Sequence, residues 1–197
     1  GIGMIHQHFK LIPTHAVAEN IVLGLTSIPF FFPAEKAEAE IKSLSEKYGL
    51  KVDPRAHVWQ LSAGEKQKVE ILKALYRKAN ILILDEPTSV LTPQEAEELF
   101  ATLRAMKEEG KTCIFITHKL NEVKEIADAV TVMRKGKVVS TILPSQVSLE
   151  ELARMTVGKE VISVVPRKTI SDKIVLRLQD VSAMGDRDFP ALLNLSL

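Results

Sequence analysis

Two apolar runs in this sequence end in residues able to hold or move a proton. Ile81-Leu82-Ile83-Leu84 leads into Asp85-Glu86-Pro87, and the β-branched run at residues 112–117 leads into His118. An apolar run bounded by turn residues suits a strand buried on both faces of a parallel sheet. A carboxylate at the C-terminal tip of such a strand stands where α/β sheets receive ligands. There Asp85 could hold Mg²⁺ through water, and Glu86 could orient or deprotonate an attacking water. The competing reading is a pair of solvated loop acids. His118 falls on the same edge as Glu86 if the strands are parallel, where a neutral imidazole could donate a hydrogen bond to a transferring phosphoryl group. A lone loop histidine is otherwise polar surface.

A different chemistry is offered by Leu61-Ser62-Ala63-Gly64-Glu65, which opens a helix. Free backbone N–H groups and the positive end of the macrodipole make a helix start an anion site. The small residues Ala63 and Gly64 would let a phosphate approach. The same letters also spell a capping box, Ser62 with Glu65. Gln7 lies in a polar turn, His6-Gln7-His8, after a strand ending Gly3-Met4-Ile5. Its neutral amide could ligate Mg²⁺, though an isolated glutamine specifies little, and His6 and His8 receive no role.

The elements that must position these residues follow from periodicity. A short helix is expected at residues 17–23. A second, opened by Pro33, has Ala37, Ile41, Leu44 and Tyr48 at helical spacing and Gly49 as its stop. A third starts after Ser62, with Val69, Leu72 and Leu75 on one face. Thr92-Pro93-Gln94-Glu95 is a capping box with proline at the first helical position. The helix it opens carries Ala96, Leu99, Phe100, Leu103 and Met106 and ends at Gly110. After His118 come a helix with Leu120, Val123 and Ile126, a hairpin through Lys135-Gly136-Lys137, and a small helix capped by Ser148 with Glu151 and stopped by Gly158. Residues 159–173 read as a linker, residues 174–178 as a new strand, and the pattern at 193–197 as one cut off. Strand and helix in alternation mean parallel strands with helical crossovers.

Composition narrows the classes. The 197 residues are 46% hydrophobic and 26% charged, which rules out a disordered or fibrous chain. The net charge of +1 supplies no field that selects nucleic acid. A single cysteine, Cys113, excludes an internal disulfide framework and fits a reducing compartment. The longest mostly apolar stretch, residues 21–32, is interrupted by Thr26, Ser27 and Pro29 and is short of the roughly 20 apolar residues a bilayer span needs. Phe30-Phe31-Phe32 within it reads as buried core, or else as a docking patch.

Taken in order, these motifs resemble the ATPase domain of ABC transporters. Ile5-His6-Gln7 is similar to the Q-loop, residues 61–65 to the signature motif, and residues 81–85 to the Walker B strand followed by the catalytic glutamate, Glu86. Ser89-Val90-Leu91-Thr92 resembles the D-loop, and His118 the switch histidine. A finer resemblance, to the double ATPases of bacterial sugar and nucleoside importers, rests on residues 87–95 and the Val-Gly end of the helix at Gly158. The resemblance implies an α/β fold: an incomplete P-loop NTPase (ABC ATPase) domain with parallel core strands at residues 1–145 and an inserted helical subdomain at about 9–79. It further implies a short helix and linker at 146–173 and the opening strands of a second ABC ATPase domain at 174–197.

The resemblance also implies roles. Glu86 and His118 would be catalytic; Ser62, Ala63, Gly64, Glu65 and Gln7 would bind ATP; Asp85 and Gln7 would serve Mg²⁺. Expected partners are a second ATPase domain, transmembrane permease subunits and, indirectly, a solute-binding protein, at the cytoplasmic face of the membrane, with no nucleic acid. Against the family pattern, no GxxxxGK[ST] phosphate loop occurs. Thr92 stands where most of the family has Asp, and Ala16 where relatives often have a capping Thr. A true N-terminus upstream is therefore expected, with this chain inactive alone and residues 81–84 missing the neighbour that a phosphate-loop strand would supply. The competing classes are an ABC ATPase of DNA repair or translation, whose coiled-coil insertions, Cys-rich hooks and basic linkers are lacking here, and a non-catalytic interaction module.

Overall fold

In the computed structural model, which describes residues 1–25, 34–158, 176–184 and 190–196, the apolar runs become a parallel sheet. Strands β1 (Ile2–Ile5), β2 (Ile81–Asp85) and β3 (Thr112–Ile116) lie in the order β1-β2-β3. Ile5 is opposite Leu84, Leu84 opposite Phe115, and Asp85 opposite Ile116. All three strands run the same way, so their tips and the loops beyond them share one edge.

Two expectations about these strands are corrected. β2 has a neighbour on each side, so the edge strands of this sheet among the described residues are β1 and β3. Nor are the strands buried on both faces. Leu82 and Leu84 are buried while Ile81 and Ile83 are half-buried, and in β3 Thr112, Ile114 and Ile116 are exposed. The physical reason is one-sided cover: on β3 only the face of Cys113 and Phe115 packs on the core, and Phe115 meets the ring of Phe100 edge-on at 6.0 Å.

The residues between β1 and β2 form a helical lobe of α1 (Val17–Val22), α2 (Ala34–Tyr48) and α3 (Ala63–Tyr76). Its buried stripes, among them Val17, Ile21, Ile41, Val69 and Leu72, merge with those of the sheet into one core. Gly3 is where the lobe meets β1: a Cβ there would come within 2.8 Å of the Ala74 Cβ, so only glycine admits α3 this close. A buried amide secures the loop after β1, since Asn20 accepts the Ile12 N–H at 2.7 Å and donates to the carbonyls of Ile12 and Ala16.

Beyond β2, α4 (Pro93–Glu108) is capped by Thr92 and Glu95 and buries Leu99, Phe100, Leu103 and Met106. After β3 come α5 (Leu120–Ile126) and the antiparallel pair β4 (Val130–Arg134) and β5 (Lys137–Ile142). Lys135 and Gly136, both at positive φ, make the two-residue turn that such a hairpin favours. The helix α6 (Leu149–Val157) closes a second small core of Val132, Val147 and Leu152, and Gly158 ends it at φ 76°.

The chain divides into two units, Gly1–Val161 and Ile162–Leu197. In the second, β6 (Val181–Met184) and β7 (Pro190–Leu195) form an antiparallel hairpin. The strand expected at residues 174–178 is not realised in its described part, since residues 176–179 have no regular structure. The expected linker at 159–173 and the Phe30-Phe31-Phe32 segment lie outside the described residues. No helix among the described residues is long and apolar enough to cross a membrane.

Candidate active site

The tips of β2 and β3 bring Glu86 and His118 together. Directly after β2, Glu86 enters the left-handed region at φ 45°, and its N–H donates to the Ile116 carbonyl at 2.9 Å. That conformation costs a non-glycine residue about 1–2 kcal/mol and persists only where neighbouring structure enforces it. It places Glu86 Oε1 2.9 Å from His118 Nδ1. With side chains 30% and 69% exposed, the pair adds little stability, so its interest is chemical. If Nδ1–H serves Glu86, a neutral ring presents only a lone pair at Nε2, and it can donate to a phosphoryl oxygen only as imidazolium.

Gln7 joins this pair. With Ser89 and the buried Gln67 it lines a small cleft that Glu86 also faces. Asp85 is half-buried at the β2 tip and does not line the cleft. Among the described residues no three His, Cys, Asp or Glu side chains gather as a metal cage. A carboxylate and an amide are oxygen donors of the kind Mg²⁺ takes beside its waters and substrate phosphates, but Asp85 and Gln7 share no cleft among the described residues.

Ser62, Ala63, Gly64 and Glu65, at the start of α3, do not line that cleft, although Gln67 two residues further along the helix does. The capping box is realised: the Glu65 N–H donates to Ser62 Oγ at 3.2 Å, and the Ser62 N–H to Glu65 Oε2 at 2.8 Å. Gly64 is buried, and a Cβ there would overlap Glu95 Oε1. A side chain there would have to displace the carboxylate that caps α4.

Sequence reasoning passed over two features. Gln67, one turn into α3, is 3% exposed, and neither end of its amide has a hydrogen-bond partner. Beneath the sheet tips, Glu122 gathers Thr88, Thr117 and Lys119. Only the acid in the first turn of α5 hinted at the second, and an acid there is ordinary dipole compensation.

This fold recurs in solved ATP-binding cassettes. The chain is similar to the ATP-binding cassette MJ0796, whose dimer is known in a post-hydrolysis state bound to ADP and Pi (TM-score 0.62, 26% identity, 73% of this chain and 62% of that one). It is also similar to cbiO1 from Clostridium perfringens, part of the transporter complex cbiONQ (TM-score 0.63, 28% identity, 79% and 61%). Residues 1–89 match the family model described as ABC transporter, so this part of the chain carries an ABC transporter domain. Among curated relatives, the glucose import ATP-binding protein TsgD13 of Haloferax volcanii is 44% identical over all of this chain and 41% of its own length. The nucleoside import ATP-binding protein NupA of Lactococcus lactis is 42% identical over all of this chain and 39% of its own. The chain thus spans about two-fifths of the length of these relatives.

Proposed function

We propose that this chain is part of the ATP-hydrolysing subunit of an ABC importer that couples ATP hydrolysis to uptake of a sugar or a nucleoside. The observation that carries the reading is the 2.9 Å approach of Glu86 to His118 at adjacent parallel strand tips, beside a cleft shared with Gln7. In this reading Glu86 polarises the attacking water and His118 stabilises the γ-phosphate. Asp85 and Gln7 would hold Mg²⁺, whose contribution is to neutralise phosphate charge. The likeness of Ser62, Ala63, Gly64 and Glu65 to the signature motif supports their acting on an ATP held by a second ATPase domain. The import names of the relatives favour transport over DNA repair or translation. Permease subunits would supply the membrane passage, with this chain peripheral on the cytoplasmic face and a solute-binding protein acting indirectly. ATP affinity of the chain by itself is low, because its sequence has no phosphate loop to cradle the β- and γ-phosphates.

The test is Glu86→Gln in the complete gene product that contains this chain. The side chain keeps its shape and loses the charge that orients water. ATP binding should persist while hydrolysis drops by about 10²–10⁴-fold. Hydrolysis within a few-fold of the parent would assign the role elsewhere.

A further inference from the structure

The polar groups beneath the sheet tips carry an inference that no motif suggested. Glu122, 12% exposed, accepts the Thr88 hydroxyl at 2.7 and 2.9 Å through its two oxygens. It also accepts the Thr117 hydroxyl at 3.2 Å and lies 3.3 Å from Lys119 Nζ. An ionised carboxylate only accepts, so the protons of both hydroxyls are committed to Glu122. Their oxygens then take protons from a third residue. Lys119 donates its backbone N–H to Thr117 Oγ1 at 3.0 Å, and its ammonium to Thr88 Oγ1 at 3.2 Å and to the Thr88 carbonyl at 2.9 Å. Thr88 is 2% exposed and has no recourse to water.

The connections matter because of where they attach. Thr88 lies two residues after Glu86, and Thr117 and Lys119 flank His118. We infer that Glu122 is a positioning residue: one carboxylate, bonded to both strand-tip loops, sets their spacing and thereby the Glu86–His118 contact. The inference rests on the reading of Glu86 and His118 given above. An anchor that merely holds α5 in place would need a bond to one loop; this carboxylate binds both, on either side of the reacting pair. Misplacement of a reacting group by about 1 Å costs roughly 10²-fold in rate, so the tie acts on turnover more than on nucleotide affinity.

The experiment uses Glu122→Ala and Glu122→Gln in the complete gene product, with Glu86→Gln measured beside them. In Glu122→Ala, kcat should fall by about 10–100-fold with KM for ATP changed less than about twofold. Glu122→Gln, whose amide oxygen still accepts one hydroxyl, should fall less, and it carries the same readings if the alanine variant does not fold. In ¹⁵N-histidine spectra recorded where the ring is neutral, the Nδ1–H form of His118 should give way to Nε2–H in Glu122→Ala. A parent-like kcat, or a loss of kcat that follows the thermal midpoint while the tautomer stays parent-like, overturns the inference. Inactive Glu86→Gln beside fully active Glu122 variants sinks only the positioning role. Active Glu86→Gln sinks both readings.

Discussion

The two groups of candidate residues in the first unit are held by opposite means. At the start of α3, Ser62 and Glu65 satisfy each other across a single helical turn. At the sheet tips, Glu86, Thr88, Thr117, His118 and Glu122 are joined by bonds that span from 5 to 34 residues of chain. The capping bonds of the helix start come with the helix itself, although its Gly64 lies against Glu95 of α4. The sheet tips have theirs only when β2, β3 and α5 are all in place. Local order presents a capped helix start ready-made, whereas the Glu86–His118 contact exists only as a product of tertiary structure.

The sharpest way to break this contrast is Thr88→Val, which leaves the Glu122 carboxylate and the Lys119 ammonium facing an apolar group. Chemical denaturation should show a loss of about 1–3 kcal/mol. A neutral result would mean that the long-range network contributes nothing to stability. Gly64→Ala tests the tertiary contact that the helix start makes with Glu95 of α4. The new methyl meets the carboxylate that caps α4 through Thr92. Destabilisation of about 1–3 kcal/mol is expected. It should be largely relieved in a Glu95→Ala background, where the two costs would not add. Additive losses would place the strain elsewhere.

Smaller effects refine the local side. At the start of α1 the Ala16 N–H donates to Glu19 Oε2 at 2.7 Å, but Ala16 has no side-chain oxygen to return a bond. Ala16→Thr should therefore stabilise by about 0.5–1 kcal/mol, read as a raised denaturation midpoint; a lowered one would count against this helix start. The far end of α3 gives a contact that titrates. The Tyr76 hydroxyl donates to Glu40 Oε2 at 2.7 Å, and burial, then that carboxylate, pushes its pKa from 10.0 up to about 12. The folded chain keeps this proton at pH values where the unfolded chain has lost it. The contribution is thus full below pH 10 and drains away as pH rises towards 12. Tyr76→Phe should flatten that decline in thermal midpoint, and an unchanged slope would assign it to other groups.

What could be read from the sequence follows the same division. The helix starts at Thr92 and Ser148, the stop at Gly49 and the hairpin at Lys135-Gly136 are written in neighbouring letters, and the structure has them all. Glu86 and His118 were legible as strand-tip residues because apolar runs announce strands. Their contact was not, nor was the left-handed turn at Glu86, since nothing in the letters Asp-Glu-Pro specifies a φ of 45°. Glu122 went unseen because its partners come from loops far away in sequence. Burial of β3 was overestimated for a related reason. Periodicity reports what a strand could bury, while cover depends on which elements reach it.

The pairing of β1 with β2 has a kinetic consequence. Ile2 meets Ile81 with the whole helical lobe threaded between them. Closing so long a loop from an open chain carries an entropic penalty that no early contact repays. Once α1, α2 and α3 have packed, however, the lobe acts as a splint that delivers α3 and the following strand to β1, with Gly3 as the landing point against Ala74. The expected order of assembly therefore has the lobe before the parallel sheet and the Glu86–His118 contact among the last features to mature.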